Sequence, residues 1–121
     1  MSSSPETKKK EYSFTSSNRL KSLWEFQRVF TQAKRINKPF FTVYLLPHDK
    51  EKKIGFSISR RVGGAVVRNR LKRRLREIFR VNQWELKPCW QVVVVRKKAT
   101  FLSWPELKDQ LKSVWEEAGV L

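Results

Sequence analysis

The residues best equipped for chemistry lie between Arg60 and Arg80, in RRVGGAVVRNRLKRRLREIFR. Nine of them are basic: Arg60, Arg61, Arg68, Arg70, Lys72, Arg73, Arg74, Arg76 and Arg80, opposed only by Glu77. Arginine outnumbers lysine eight to one in this stretch. A guanidinium is a planar fork that grips phosphate at two points and stacks on bases, whereas lysine would serve equally well for solubility alone. Asn69 adds an amide able to donate and accept, toward a phosphate, a ribose hydroxyl or a base edge. The chemistry on offer is anion recognition, and a target that matches such density is a nucleic-acid backbone.

A second set is aromatic. Phe26 and Phe30 stand one helical turn apart, and Thr42 and Tyr44 share one face of an extended run. Together they could line a groove for unpaired bases, each stack worth about 1–3 kcal/mol. Periodicity alone favours a core role for the two phenylalanines; Tyr44, with its polar tip, is the better groove candidate.

Groups that break bonds are not assembled. His48 and Cys89 are the only residues of their kinds, so neither a catalytic triad nor a metal-ligand spacing exists. GGAVVRNR lacks the Lys-Ser/Thr ending of a triphosphate loop. The acids are scattered and mostly C-terminal, which does not suit two-metal hydrolysis. If the chain serves an enzyme, a partner carries the chemistry. His48 is expected in a solvated turn and Cys89 as a half-buried structural thiol.

Composition agrees. The chain has 121 residues, 40% hydrophobic, with a formal charge of +16. That is one modest domain, self-repulsive without an anionic partner. The charge is regional: beyond Phe101, Lys108 and Lys112 face Glu106, Asp109, Glu116 and Glu117. A lone cysteine, no long apolar run and no apolar stretch in MSSSPETKKKE point to the cytoplasm, without membrane association.

The elements that must position these groups follow from pattern. Residues 1–17 read as a disordered basic tail and 18–121 as a single domain. Ser22 and Glu25 form an S-x-x-E capping box for a helix from Ser22 to about Lys34. Phe40–Leu46 and Lys53–Arg60 alternate as strands, joined through PHDKEKK as a charged hairpin. Gly55, Ser57 and Ser59 leave room for something bulky on one face. Gly63-Gly64 turns the chain into a helix over Ala65–Val81. On a wheel of 100° per residue, Val67, Leu71, Leu75, Ile78 and Phe79 occupy an arc of about 120°, with cations around the rest. WQVVVV, Trp90–Val95, suits a strand buried on both faces. Ser103 and Glu106 cap a last helix whose stripe is Leu107, Leu111, Val114, Trp115 and Ala118. A further short strand is expected near Val62. The order is that of a small α/β sandwich with helices against a mixed sheet and a βαβ unit around the basic helix.

Arg68-Asn69-Arg70-Leu71-Lys72-Arg73 closely resembles the RNR motif of the bacterial ribonuclease P protein component. The resemblance extends over Asn18-Arg19-Leu20, EFQRVF at 25–30, FFTVYLL, GFSISRRVGGAVVRNRLKR at 55–73 and VVVVRKKA at 92–99. It implies a fold like ribosomal protein S5 domain 2, an α+β sandwich with a left-handed βαβ crossover. It implies a protein subunit whose RNA partner, holding magnesium ions, removes the 5′ leader of precursor tRNA, with no protein partner required. By position, Arg68, Asn69, Arg70, Lys72, Arg73 and Arg76 should meet the catalytic RNA, with Arg60, Arg61 and Arg74 extending that surface. Phe26, Phe30, Thr42 and Tyr44 match the leader cleft, so the phenylalanines serve core and cleft together. The alternatives are a ribosomal or RNA-chaperone protein of related fold and a protein-only nuclease.

Overall fold

The computed structural model describes residues 18–121; the expected tail, 1–17, lies outside them. Helix α1, Leu23–Gln32, is followed by β1, Lys34–Asn37, β2, Phe41–Pro47, and β3, Lys52–Ser57. The basic helix α2, Ala65–Asn82, leads to β4, Cys89–Val95, then a 3₁₀ turn, Lys97–Phe101, and helix α3, Trp104–Glu117. The sheet order is β1-β2-β4-β3. β1 pairs antiparallel with β2, β2 antiparallel with β4, and β3 parallel with β4. The expected βαβ unit is therefore present, with β3 and β4 adjacent.

Three expectations need correction. The first helix stops at Gln32, and Lys34–Asn37 is an edge strand. KRIN has one apolar residue, Ile36, and an edge strand needs only that one anchor on its buried face. PHDKEKK is not a hairpin, because β4 inserts between β2 and β3; the loop spans a strand. Val62 belongs to a turn, its amide donating to the Ser59 carbonyl at 3.0 Å, and its side chain is buried there without a strand.

The sheet has two covered faces. Phe41, Val43, Leu45, Ile54, Val93 and Val95 join Leu71, Leu75, Ile78 and Phe79 of α2 and Leu107, Leu111, Val114 and Trp115 of α3 in the main core. The one polar residue of β4, Gln91, is fully buried and accepts the Trp115 indole N–H at 2.8 Å. Cys89 is buried outright, and that burial pushes its thiol up to about 12, so it is inert. His48 is not simply solvated: its ring stacks on Trp90, centroids 5.3 Å apart.

The second face carries α1. The pairings set three rows across it: Leu46–Trp90–Lys53, Tyr44–Val92–Gly55 and Thr42–Val94–Ser57. Val29 of α1 is buried against Leu20, Trp90 and Val92. Both capping boxes form, at Ser22/Glu25 and at Ser103/Glu106. Glu25 does more than cap. One carboxylate oxygen accepts the Lys21 and Ser22 amides at 2.7 and 3.1 Å, and the other meets Lys53 Nζ at 2.9 Å. Burial raises its pKa, but the Lys21 amide, the Lys53 ammonium and the Ser22 amide outweigh that and hold it at about 2.

Because the folded value lies below the ordinary 4.5, this stabilisation is complete above about pH 4.5 and is lost as pH falls toward 2. Glu25→Gln is expected to cost about 1–3 kcal/mol at neutral pH. In urea unfolding, the gap between the wild type and the variant should narrow at pH 3.

Candidate nucleic-acid interface

The shape of the candidate interface depends on how far α1 reaches across the sheet rows. Phe26 lies on Gly55: a Cβ built there would sit 2.7 Å from its ring. Phe30, 43% exposed, meets Tyr44 edge-on at 4.8 Å. The two phenylalanines thus lie along the middle row, Tyr44–Val92–Gly55, and α1 shelters that row. The next row, Thr42–Val94–Ser57, runs beside Phe26, Phe30 and Tyr44 as the floor of a candidate cleft: Ser57 is exposed, Val94 half-buried and Thr42 buried. Phe26 is partly buried against the second core and Phe30 is open, which fits a shared core and groove role.

Thr42 differs from a free groove hydroxyl. It is 5% exposed, donates to Asn37 Oδ1 at 2.8 Å and accepts from Arg96 Nη2 at 2.7 Å. Arg96 also donates to Asn37 Oδ1. Thr42 therefore anchors an arginine at the end of the floor, beside a depression of about 550 Å³ lined by Lys38, Lys97 and Lys98. The extended run showed Thr42 as a groove residue because period-2 reading assigns a face but not a hydrogen-bond partner. Arg96 was visible only as one cation of RKK.

At the opposite end of the floor stands α2. Arg68, Asn69 and Lys72 line a cavity of about 130 Å³ with Phe56 and Ile58. Lys72 and Arg76 line the next, of about 100 Å³, with Arg19, Phe26, Gly55 and Phe56. Phe56 and Lys72 line both, so the two cavities adjoin between Phe26 and the RNR segment. Arg19 and Phe56 were not among the expected site residues; Phe56 reads as ordinary alternation and Arg19 precedes the first helix. Burial lowers the Arg76 pKa, and the nearby Arg19 charge lowers it further. Two guanidinium groups converging on one cavity is a repulsion that a bound anion relieves.

The remaining cations spread more widely. Arg60 and Arg61 are exposed on the turn after β3, and Asn69, Arg70, Lys72 and Arg73 are exposed on α2. Arg74 is half-buried, and helical spacing puts it and Arg70 on the opposite flank from Arg68, Lys72 and Arg76. Arg68 Nε donates to the Gly63 carbonyl at 3.1 Å, which closes the turn into the helix. Glu77, the one acid of α2, is paired with Arg80 and withdraws little of this charge. Among the described residues, no group of three or more His, Cys, Asp or Glu could hold a metal ion, and no helix is long and apolar enough to cross a membrane.

A cationic helix beside an aromatic surface fits several RNA-binding proteins, and comparison with known proteins decides among them. The ribonuclease P family model matches residues 14–119. The chain belongs to the ribonuclease P protein family. The ribonuclease P protein component of an Exiguobacterium species is 38% identical over 113 residues, covering 93% of this chain and 94% of the relative. That of Desulfosudis oleivorans is 34% identical over 110 residues, covering 89% and 91%. The solved RNase P protein of Staphylococcus aureus superposes with a TM-score of 0.80 at 28% identity, over 85% of this chain and 96% of that one. The Thermotoga maritima RNase P protein gives 0.74 at 28%, over 82% and 96%. A ribonuclease P protein serves tRNA 5′-leader processing within an endoribonuclease complex, and this fold is the family's.

Gly55→Ala tests the cleft wall. Its methyl displaces the Phe26 ring, an overpacking expected to cost about 1–3 kcal/mol in urea unfolding. Adding Phe26→Leu should recover part of that loss.

Proposed function

We propose that this ribonuclease P protein holds the single-stranded 5′ leader of precursor tRNA in the α1 cleft while α2 docks on a catalytic RNA subunit. The observation that carries this reading is the row Thr42–Val94–Ser57 beyond the reach of α1, flanked by Phe26, Phe30 and Tyr44, exposed at Ser57 and with cations at both ends. A strand in that cleft has aromatic rings for its bases. Arg96 and Lys97 at one end, and Arg68 and Lys72 at the other, take its phosphates. Such contacts tolerate any leader sequence. Arg60, Arg61, Asn69, Arg70, Arg73, Arg74 and Arg76 form the wider face for the RNA subunit.

The physical role is neutralisation and grip. Two polyanions must approach, and a chain of charge +16 between them offsets their repulsion. With six to ten phosphates contacted, affinity should fall about 10³–10⁵-fold between 50 and 200 mM salt. The donor set of this chain does not fit magnesium: the face is cationic and lacks a carboxylate cluster among the described residues. The ion belongs with the RNA phosphates in this reading, and the chain's residues bind and orient.

One related structure is of a Staphylococcus aureus RNase P protein mutant with defective mRNA degradation activity, so cleavage by protein alone is the competing reading. A single reconstitution separates the two. Precursor tRNA is incubated with protein, with ribonuclease P RNA, and with both at low magnesium. Efficient leader removal only in the mixture supports the proposal; cleavage by the protein alone contradicts it. Tyr44→Ala in the same mixture should weaken precursor binding about fivefold or more, on the scale of one lost stack, and leave mature tRNA binding unchanged. Equal loss for both would remove the cleft assignment.

A further inference from the structure

The other end of the sheet, where β2 leaves and β3 enters, gathers aromatic and cationic side chains that the leader cleft does not use. Three of the five tryptophans are here. Trp90 is buried at the start of β4, with its indole N–H donating to Glu51 at 3.1 Å. His48 stacks on it, and Arg28 and Lys53 each stand 5.3 Å from its ring centroid. Trp24 of α1 leans on Trp90 at 5.9 Å and is itself 58% exposed. On the other side of the loop, Trp84 is 47% exposed, with Lys52 Nζ 5.4 Å from its ring. A cavity of about 330 Å³ lies there, lined by Asn18, Lys50, Glu51, Lys52, Gln83 and Trp84.

We propose that this end is a second single-strand RNA surface, on which Trp24 and Trp84 each stack an unpaired base and Arg28, Lys50 and Lys52 hold the phosphates between them. The occupant is an unpaired segment of the same RNA that docks on α2, so the inference rests on that docking reading. Four observations carry it. The exposed rings are separated by cations instead of forming one apolar patch, which suits bases on a phosphate chain better than a protein interface. The cations Arg28, Lys50, Lys52 and Lys53 face the acids Glu25, Asp49 and Glu51. Glu25 is engaged by Lys53 and by the Lys21 and Ser22 amides just before α1, and Glu51 by the Trp90 indole, which leaves Arg28, Lys50 and Lys52 against Asp49. Trp84 follows the last residue of α2, Asn82, by two positions, so RNA lying along the helix reaches it without a gap. The leader is elsewhere: Trp24 and Arg28 face the row Leu46–Trp90–Lys53, and α1 itself stands between that row and the open one.

The layering gives each ring a job. Trp90, packed below and held by Glu51, braces Trp24 so that its exposed face is presented without much freedom to lose. Lys52, tied to the Gln83 carbonyl at 2.6 Å, does the same beside Trp84.

The test uses the full chain with Trp24→Ala, Trp84→Ala and Trp24→Phe, a ribonuclease P RNA transcript, and both precursor and mature tRNA. Far-UV circular dichroism checks that each variant is folded. Each alanine variant is expected to weaken binding of the RNA transcript about fivefold or more, the low end for one lost base stack. Trp24→Phe should restore most of the loss, and the precursor-to-mature affinity ratio should not change. Folded variants with wild-type affinity for the transcript would overturn the proposal, and so would a loss confined to the precursor-to-mature ratio. Arg70→Glu/Arg73→Glu is run beside them. If it weakens transcript binding while the tryptophan variants do not, only the second surface fails. If it too has no effect, the docking reading itself fails.

Discussion

The close approach of the Phe26 ring to the Gly55 backbone governs the rest of the molecule. A helix crossing a sheet normally stands off by the length of the side chains between them. Here the absence of one Cβ lets a phenyl ring settle onto β3, and Glu25 clamps the same turn of α1 to Lys53 on the same strand. At the other strand, Phe30 rests edge-on against Tyr44. With α1 pinned at both points, it covers one row of the sheet and stops short of the next, whose Ser57 end is exposed. The cleft is therefore a consequence of where a helix is fastened.

The topology then brings the charge to that opening. β3 and β4 are parallel, so both point their C-terminal ends the same way. The turn with Arg60 and Arg61 follows one strand, Arg96 follows the other, and α2 begins beside them. Cations far apart in sequence are thereby brought to both ends of the cleft, while α2 carries others outward along its length. The result is two neighbouring surfaces of different character, one ionic and one aromatic, which the proposed reading gives to a structured RNA and a single strand. Salt should weaken the first far more than the second.

Much of this was legible in the sequence. The capping boxes at Ser22 and Ser103 and the apolar stripes of α2 and α3 are local or periodic signals, and they hold. So is the small-residue face of β3, whose room for something bulky is filled by Phe26. What was not legible depends on pairing over long separation. That β4 inserts between β2 and β3 is decided by packing on both faces of WQVVVV, and the loop PHDKEKK looks the same either way. Lys34–Asn37 carries its strand identity in a single buried Ile36. Val62 looks like a strand residue because it is β-branched and buried, yet a turn buries it as well. Thr42 occupies the face that alternation assigns to it, but its hydroxyl is engaged by Asn37 and Arg96, contacts that no spacing rule reports.

The account stands on a single strand lying in the α1 cleft, and a leader-length series tests that most directly. Precursor tRNAs with leaders lengthened one nucleotide at a time are titrated against the protein bound to ribonuclease P RNA. Affinity should rise as nucleotides enter the cleft and level off once the leader has passed Arg96. Affinity that is independent of leader length, or that rises without limit as charge is added, would contradict it.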